Sequence, residues 1–170
     1  DIAEADKRQK GGFMPIQGLL TEALDRIEEL YESGQTITGV STGFGDLDDI
    51  TSGLQPSDLV ILAARPSMGK TSMALNFAEH VALKIGEPVG IFSLEMSKEQ
   101  LLMRLLCAES AVDDHWVRTG YLSKDDFGRL IDSLGRIASA PMFIDDSSTL
   151  TIMQMRAKAR RLKAEHGLGL

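Results

Sequence analysis

The sequence predicts an α/β domain in which a parallel sheet is flanked by helices. Three observations predict it. The apolar run Leu59-Val60-Ile61-Leu62-Ala63-Ala64 has the length and composition of a strand buried on both faces. A loop and a helical pattern from Lys70 to Ile85 follow, and Val89 to Leu94 then reads as a second strand. Strand, helix and strand within about 40 residues form a βαβ unit, which makes the two strands parallel. Lastly, helix-entry signals return along the rest of the chain: Ser97 with Gln100, Ser123 with Asp126, and Thr151 with Gln154.

In chain order, Asp1 to Gly12 is polar with mixed charge and reads as a tail. After Pro15, Ile16, Leu19, Leu20, Ala23, Leu24, Ile27, Leu30 and Tyr31 recur at helical steps, so residues 16 to 31 form an amphipathic helix that stops before Ser33-Gly34. Ser41 to Asp48 is turn-rich, and the main domain begins near it. The helix after Ser97 is strongly apolar to about Ser110, that after Ser123 runs to about Ala138, and Met142-Phe143-Ile144 is a short strand. Thr151 opens a basic helix to Glu165, and Leu168-Gly169-Leu170 reads as a strand that has begun. The predicted organisation is a tail (1–14), a helix with its flanks (15–34) and an α/β domain (35–170) incomplete at its C-terminal end.

The 170 residues are 43% hydrophobic and 25% charged, which excludes collagen-like and disordered classes. No apolar run approaches the roughly 18 residues of a spanning helix, and the start lacks a signal-peptide pattern. Cys107 is the one cysteine, which fits a reducing, cytoplasmic setting, and it lies in an apolar stretch as a buried thiol. Net charge is −7, divided as −11 over residues 1 to 150 and +4 over the last twenty. An acidic body does not suit a general nucleic-acid coat, so any contact with DNA would be local.

Ala64-Arg65-Pro66-Ser67-Met68-Gly69-Lys70-Thr71 matches the phosphate-binding P-loop, with Ala in place of the first glycine. After a strand, the loop wraps so that backbone N–H groups face the phosphates with the positive end of the next helix behind them. Gly69 allows close approach, Lys70 reaches the β- and γ-phosphates, and Thr71 supplies a hydroxyl for Mg2+. Such a pattern arises by chance in roughly one in a hundred chains of this length, and the flanking strand and helix lower that further. Arg65, Pro66, Ser67, Met68, Gly69, Lys70, Thr71 and Ser72 are the candidate nucleotide-binding residues.

Two readings fit Glu95 at the end of the second strand: the base that deprotonates an attacking water, or a solvated carboxylate ahead of the helix at Ser97. Asp145 follows an apolar strand, as a magnesium-holding acid does, yet Asp145-Asp146-Ser147 also suits a helix-entry turn. Arg156, Lys158, Arg160, Arg161 and Lys163 make a solvated helix face or a DNA or partner contact. His115-Trp116 is read as a packing anchor in a loop, and His80 and His166 lack metal-ligand spacing.

The segments Ser41 to Asp48, Ser52 to Leu59, Ala63 to Thr71, Ile91-Phe92-Ser93-Leu94-Glu95-Met96-Ser97 and Ile144 to Ser148 together resemble the bacterial replicative DNA helicases of the DnaB family. The resemblance covers nearly the whole chain. It implies a RecA-like P-loop core preceded by a linker helix, and an ATP-driven homo-hexamer on single-stranded DNA, with primase and a helicase loader as partners. It matches Lys70 and Thr71 to the phosphate and magnesium residues, Ser67, Met68, Gly69 and Ser72 to the phosphate lining, and Glu95 to the catalytic glutamate. The same resemblance puts the metal-holding aspartate beyond Leu170, which lowers Asp145. It also puts the primase-contacting domain, DNA loops and arginine finger outside these residues. The chain alone is therefore expected to be inactive. An oligomer-assembly module working through helix 16–31, or another RecA-like ATPase, are the alternatives.

Overall fold

The computed structural model describes residues 16–34 and 36–170, so the predicted tail lies outside the described residues. The chain divides into two compact units after Thr38. In the first, α1 (Ile16–Ser33) is the amphipathic helix read from the sequence, and its apolar residues Ile16, Leu19, Leu20, Leu24, Ile27 and Tyr31 are all exposed.

The second unit begins with a loop clasped onto a short helix, α2 (Gly45–Thr51). Asp48 is buried and accepts from Ser41 Oγ at 2.7 Å, Thr42 N at 2.9 Å and Thr42 Oγ1 at 2.8 Å, which satisfies a carboxylate that burial alone would penalise. Gly43 has φ +84°, and a Cβ there would stand 2.6 Å from the His80 ring, so only glycine lets the loop lie this close. The helix α2 sits where the sequence reading placed only turns.

Residues 58–65 form no strand, and Leu59, Val60 and Ile61 are exposed, contrary to the expected buried strand. A strand needs a partner edge. Along β1 (Val89–Phe92), Val89 N and Ser93 N donate to Pro141 O and Asp145 O, while Gly90 N donates the other way to Leu170 O at 2.9 Å. Alternate N–H groups of a strand serve opposite edges, so both edges of β1 are in use. The parallel pair is therefore β1 with β2 (Met142–Asp145), in register Val89↔Met142 to Phe92↔Asp145, and not β1 with Leu59–Ala64. The bond from Gly90 and those of Gly169 N and Leu170 N to Pro88 O bring the last residues alongside β1, although Leu168 to Leu170, expected to begin a strand, form none.

The P-loop leads into α3 (Lys70–Glu79), which continues as a π-helical segment (His80–Ile85) ended by Gly86. The crossover from β1 to β2 is α4 (Lys98–Ser110), α5 (Asp114–Thr119) and α6 (Lys124–Ser139), and α7 (Ile152–His166) follows β2. The three predicted capping boxes, Ser97/Gln100, Ser123/Asp126 and Thr151/Gln154, start α4, α6 and α7.

The apolar core lies in three clusters. Ala78, Val81, Ala82 and Val89 seat the end of α3 on the sheet; Leu75, Leu101 and Leu105 join α3 to α4; Leu106, Val112 and Leu130 join α4 to α6. Trp116 is 48% exposed and is not the expected anchor. The Asp113 carboxylate accepts from His115 N and starts a helix that puts Val117, not Trp116, against the third cluster.

Candidate nucleotide-binding site

The site is assembled at the N-terminus of α3. Ser67 and Gly69 both take left-handed backbone conformations, φ +63° and +88°. Such geometry turns successive N–H groups to one side and makes an anion-binding concavity. For Ser67 it costs of order 1 to 3 kcal/mol, a strain typical of functional loops. No side chain caps α3 at Gly69, so the first-turn N–H groups are left for another acceptor. A helix terminus with free N–H groups and a positive dipole end suits phosphate.

Around this terminus is a cavity of about 400 Å3 lined by Ala64, Arg65, Pro66, Ser67, Gly69, Lys70 and Thr71, with Glu95, Met96 and Arg104 facing them. Of the candidate residues, Met68 and Ser72 stand outside this lining. Met68 is 72% exposed. Neither the Lys70 ammonium nor the Glu95 carboxylate has a hydrogen bond or ion pair among the described residues, and both border the same space. A larger cavity of about 600 Å3 continues from Thr71 and Glu95 between α3 and β1, past Leu75, Val89 and Leu101. Its lining is mostly apolar; Lys70, Thr71 and Glu95 border both cavities, and only in the smaller one do the loop residues and Arg104 join them.

Arg104 was missed by sequence reasoning. Its signal was present: it is the one charged residue in the apolar run Leu101 to Ala108, between Leu101 and Leu105, which are 2% and 1% exposed. Burying those two on one face of α4 turns Arg104 toward the P-loop cavity.

Asp145 is not brought to the P-loop. The Lys158 ammonium and the Ser147 hydroxyl and N–H hold its carboxyl down to about 2, and it borders a separate cavity of about 210 Å3 with Phe143 and Leu162. Among the described residues no group of three or more His, Cys, Asp or Glu could form a metal cage. A magnesium ion that keeps most of its waters and bridges phosphates needs few protein ligands, and the half-buried Thr71 hydroxyl in the lining fits that need.

Elsewhere on the chain, Arg161 pairs with Glu165 on α7, while Arg156, Arg160 and Lys163 are exposed. His166 stacks on Phe143, and His80 bonds Ser41. Cys107 is buried, and burial pushes its thiol up, away from nucleophilic character.

A left-handed loop, an uncapped helix start, and a lysine, a threonine and a glutamate around one cavity define a P-loop nucleotide-binding core of the RecA-like ATPase class. The family model described as the DnaB-like helicase C-terminal domain matches residues 39–170. The replicative DNA helicase DnaB of Geobacillus stearothermophilus is 48% identical over 166 residues, covering 98% of this chain and 37% of that protein. The replicative DNA helicase DnaC of Bacillus subtilis is 46% identical over the same shares. Among solved structures, a DnaB-like replicative helicase studied for its interactions with primase superposes with a TM-score of 0.77 at 32% identity, covering 85% of this chain and 35% of that one. A separately solved ATPase domain gives 0.83 at 29% identity, over 91% and 54%. The chain belongs to the DnaB-like helicase C-terminal domain family, which sets aside a RecA-like ATPase of another kind. It spans 37% of the length of these two curated relatives.

Proposed function

We propose that this chain is the nucleotide-binding part of a replicative DNA helicase, and that ATP hydrolysis at its P-loop drives translocation on single-stranded DNA and duplex unwinding. The observation that carries the reading is the convergence of Lys70, Thr71, Glu95 and Arg104 on the cavity at the uncapped start of α3.

The first-turn N–H groups of α3 donate to phosphate oxygens, and the Lys70 ammonium offsets charge on the β- and γ-phosphates. The Glu95 carboxylate orients a water and takes its proton as the water oxygen bonds the γ-phosphorus and the bond to the bridging oxygen breaks, releasing ADP and phosphate. General-base help of this kind is worth about 10²- to 10⁴-fold. The Arg104 guanidinium offsets charge on the transferring group. Mg2+, held through the Thr71 hydroxyl, would supply further charge neutralisation on the phosphates.

The wider assignments rest on the family: a homo-hexamer, single-stranded DNA, primase and a loader as partners, and a cytoplasmic setting. Among the described residues no helix is long and apolar enough to cross a membrane. A specific observation favours an assembly role as well, since α1 exposes Leu20, Leu24, Ile27 and Tyr31. On this reading α1 docks on another copy, and the chain alone does not turn over. Sedimentation with and without residues 1–34 tests it; equal monomeric behaviour of the two would contradict docking.

Titration of the chain with fluorescent Mg-ATP tests nucleotide binding. Lys70→Ala removes a charged hydrogen-bond partner of the phosphates, worth roughly 1.5 to 3 kcal/mol or about 10- to 150-fold in affinity. Because Lys70 is exposed and without a partner among the described residues, stability should stay within about 0.5 kcal/mol. Unchanged affinity in this variant would overturn the P-loop assignment.

A further inference from the structure

The Glu95 carboxylate has no hydrogen bond or ion pair among the described residues, so the backbone turn that carries it sets where it points. That turn is fastened at both ends by side chains outside the lining of the P-loop cavity.

At its entrance, the Ser93 hydroxyl donates to Met96 O at 2.6 Å and accepts from Met96 N at 3.1 Å. One hydroxyl thus satisfies both backbone groups of Met96 and closes the chain into a tight loop with Leu94 and Glu95 at its tip. Ser93 is itself fixed, since its N–H donates to Asp145 O at 2.8 Å as the last rung between β1 and β2.

At its exit, Asp146 Oδ2 accepts from Lys98 N at 3.1 Å, and Asp146 Oδ1 lies 3.8 Å from Lys98 Nζ. Lys98 N is one of the orphan donors at the start of α4, and a carboxylate there also suits the helix dipole. The Ser97/Gln100 box occupies the neighbouring positions, so Asp146 is the added tie, reaching across from the end of β2.

We propose that Ser93 and Asp146 are positioning residues that aim Glu95 at the nucleotide, a clamp tying its turn to the ends of both strands. The inference rests on the reading of Glu95 as the base. A catalytic group must be held close to its productive geometry, and a displacement of about 1 Å costs on the order of 10²-fold in rate. Ser93→Ala loses both bonds to Met96 at once, and the turn can open without disturbing Lys70 or Thr71 on α3.

The test measures ATP turnover and Mg-ATP affinity in the complete protein for Ser93→Ala, Ser93→Thr, Asp146→Ala, Glu95→Gln and the Ser93→Ala/Glu95→Gln pair. Ser93→Ala should lower kcat by about 10- to 100-fold with nucleotide affinity within about twofold, and Ser93→Thr, which keeps the hydroxyl, should restore most of it. Asp146→Ala should lower kcat in the same sense, and it carries the test if Ser93→Ala does not fold. The pair should be no slower than Glu95→Gln alone, because a residue acting through Glu95 has nothing left to aim.

A Ser93→Ala enzyme with normal kcat beside an inactive Glu95→Gln enzyme would overturn the clamp and leave the base assignment standing. So would a further loss in the pair, or a Ser93→Ala loss confined to nucleotide affinity. Full turnover in Glu95→Gln would overturn the base assignment itself, and the clamp with it.

Discussion

Leu105→Ala tests the packing that holds the site together. Leu105 is 1% exposed and meets Leu101 of α4 and Leu75 of α3, at 2% and 5%. This cluster joins the helix that begins at Lys70 to the helix that carries Arg104, and Met142 and Ile144 of β2 pack on its edge. Truncation removes most of a fully buried side chain and leaves a cavity that rigid neighbours do not fill. Buried Leu→Ala changes cost roughly 2.7 to 5 kcal/mol, and at about 2 to 4 °C per kcal/mol for a chain of this size the Tm should fall by roughly 5 to 20 °C. Urea unfolding followed by circular dichroism supplies the number, with an unchanged m-value showing that the loss is one of stability. The control is Leu102→Ala, one position along the same helix but 40% exposed, where the loss should stay below about 1 kcal/mol. A Leu105→Ala loss below about 1 kcal/mol, or one equal to the control's, would refute the joint between α3 and α4.

Two further outcomes follow from named contacts. Burial and a hydrogen bond shared with Glu109 push the Glu79 carboxyl up to about 7; Arg136 beside Glu109 keeps the proton on Glu79, while Lys84 opposes. The folded state then holds a proton that the unfolded state has released above about 4.5, so this contribution is present below that pH and is lost as pH rises through about 7. Glu79→Gln should flatten the fall in urea midpoint between pH 5 and 8, and an unchanged fall would contradict the shared proton. Arg104→Ala should slow ATP turnover in the complete protein by about 10-fold or more while Tm stays within about 2 °C, since Arg104 is exposed and without a partner among the described residues. Turnover at the normal rate would remove it from the site.

What could be read from the sequence was what short-range chemistry decides. Ser97/Gln100, Ser123/Asp126 and Thr151/Gln154 each complete a capping box within four residues, and all three start helices. Ala64 to Thr71 was legible because its spacing encodes a backbone shape, which the left-handed Ser67 and Gly69 display. Long-range decisions were not legible. The apolarity of Leu59 to Ala64 calls for burial but names no partner, and the edges of β1 are used by β2 and Leu170. Likewise Ser41 to Asp48 reads as turns because its glycines dominate, whereas buried Asp48, bonded to Ser41 and Thr42, folds the segment around the start of α2. Arg104 was hidden because its helix reads as core, and only the burial of Leu101 and Leu105 decides which way it faces. Ser93 looks like one more polar residue at a strand end until its two bonds to Met96 are seen.

In the proposed function nucleotide phosphates sit on the free N–H groups at the start of α3 and beneath the Glu95 turn. Titrating the 15N-labelled chain with Mg-ADP and following every backbone amide tests it most directly. The largest shifts are expected at Gly69, Lys70 and Thr71, with a second set at Glu95 and Met96, which line the same cavity. Saturable binding with its largest shifts elsewhere, for instance on α7 around Arg156 and Arg160, would contradict it, as would no shift at millimolar nucleotide.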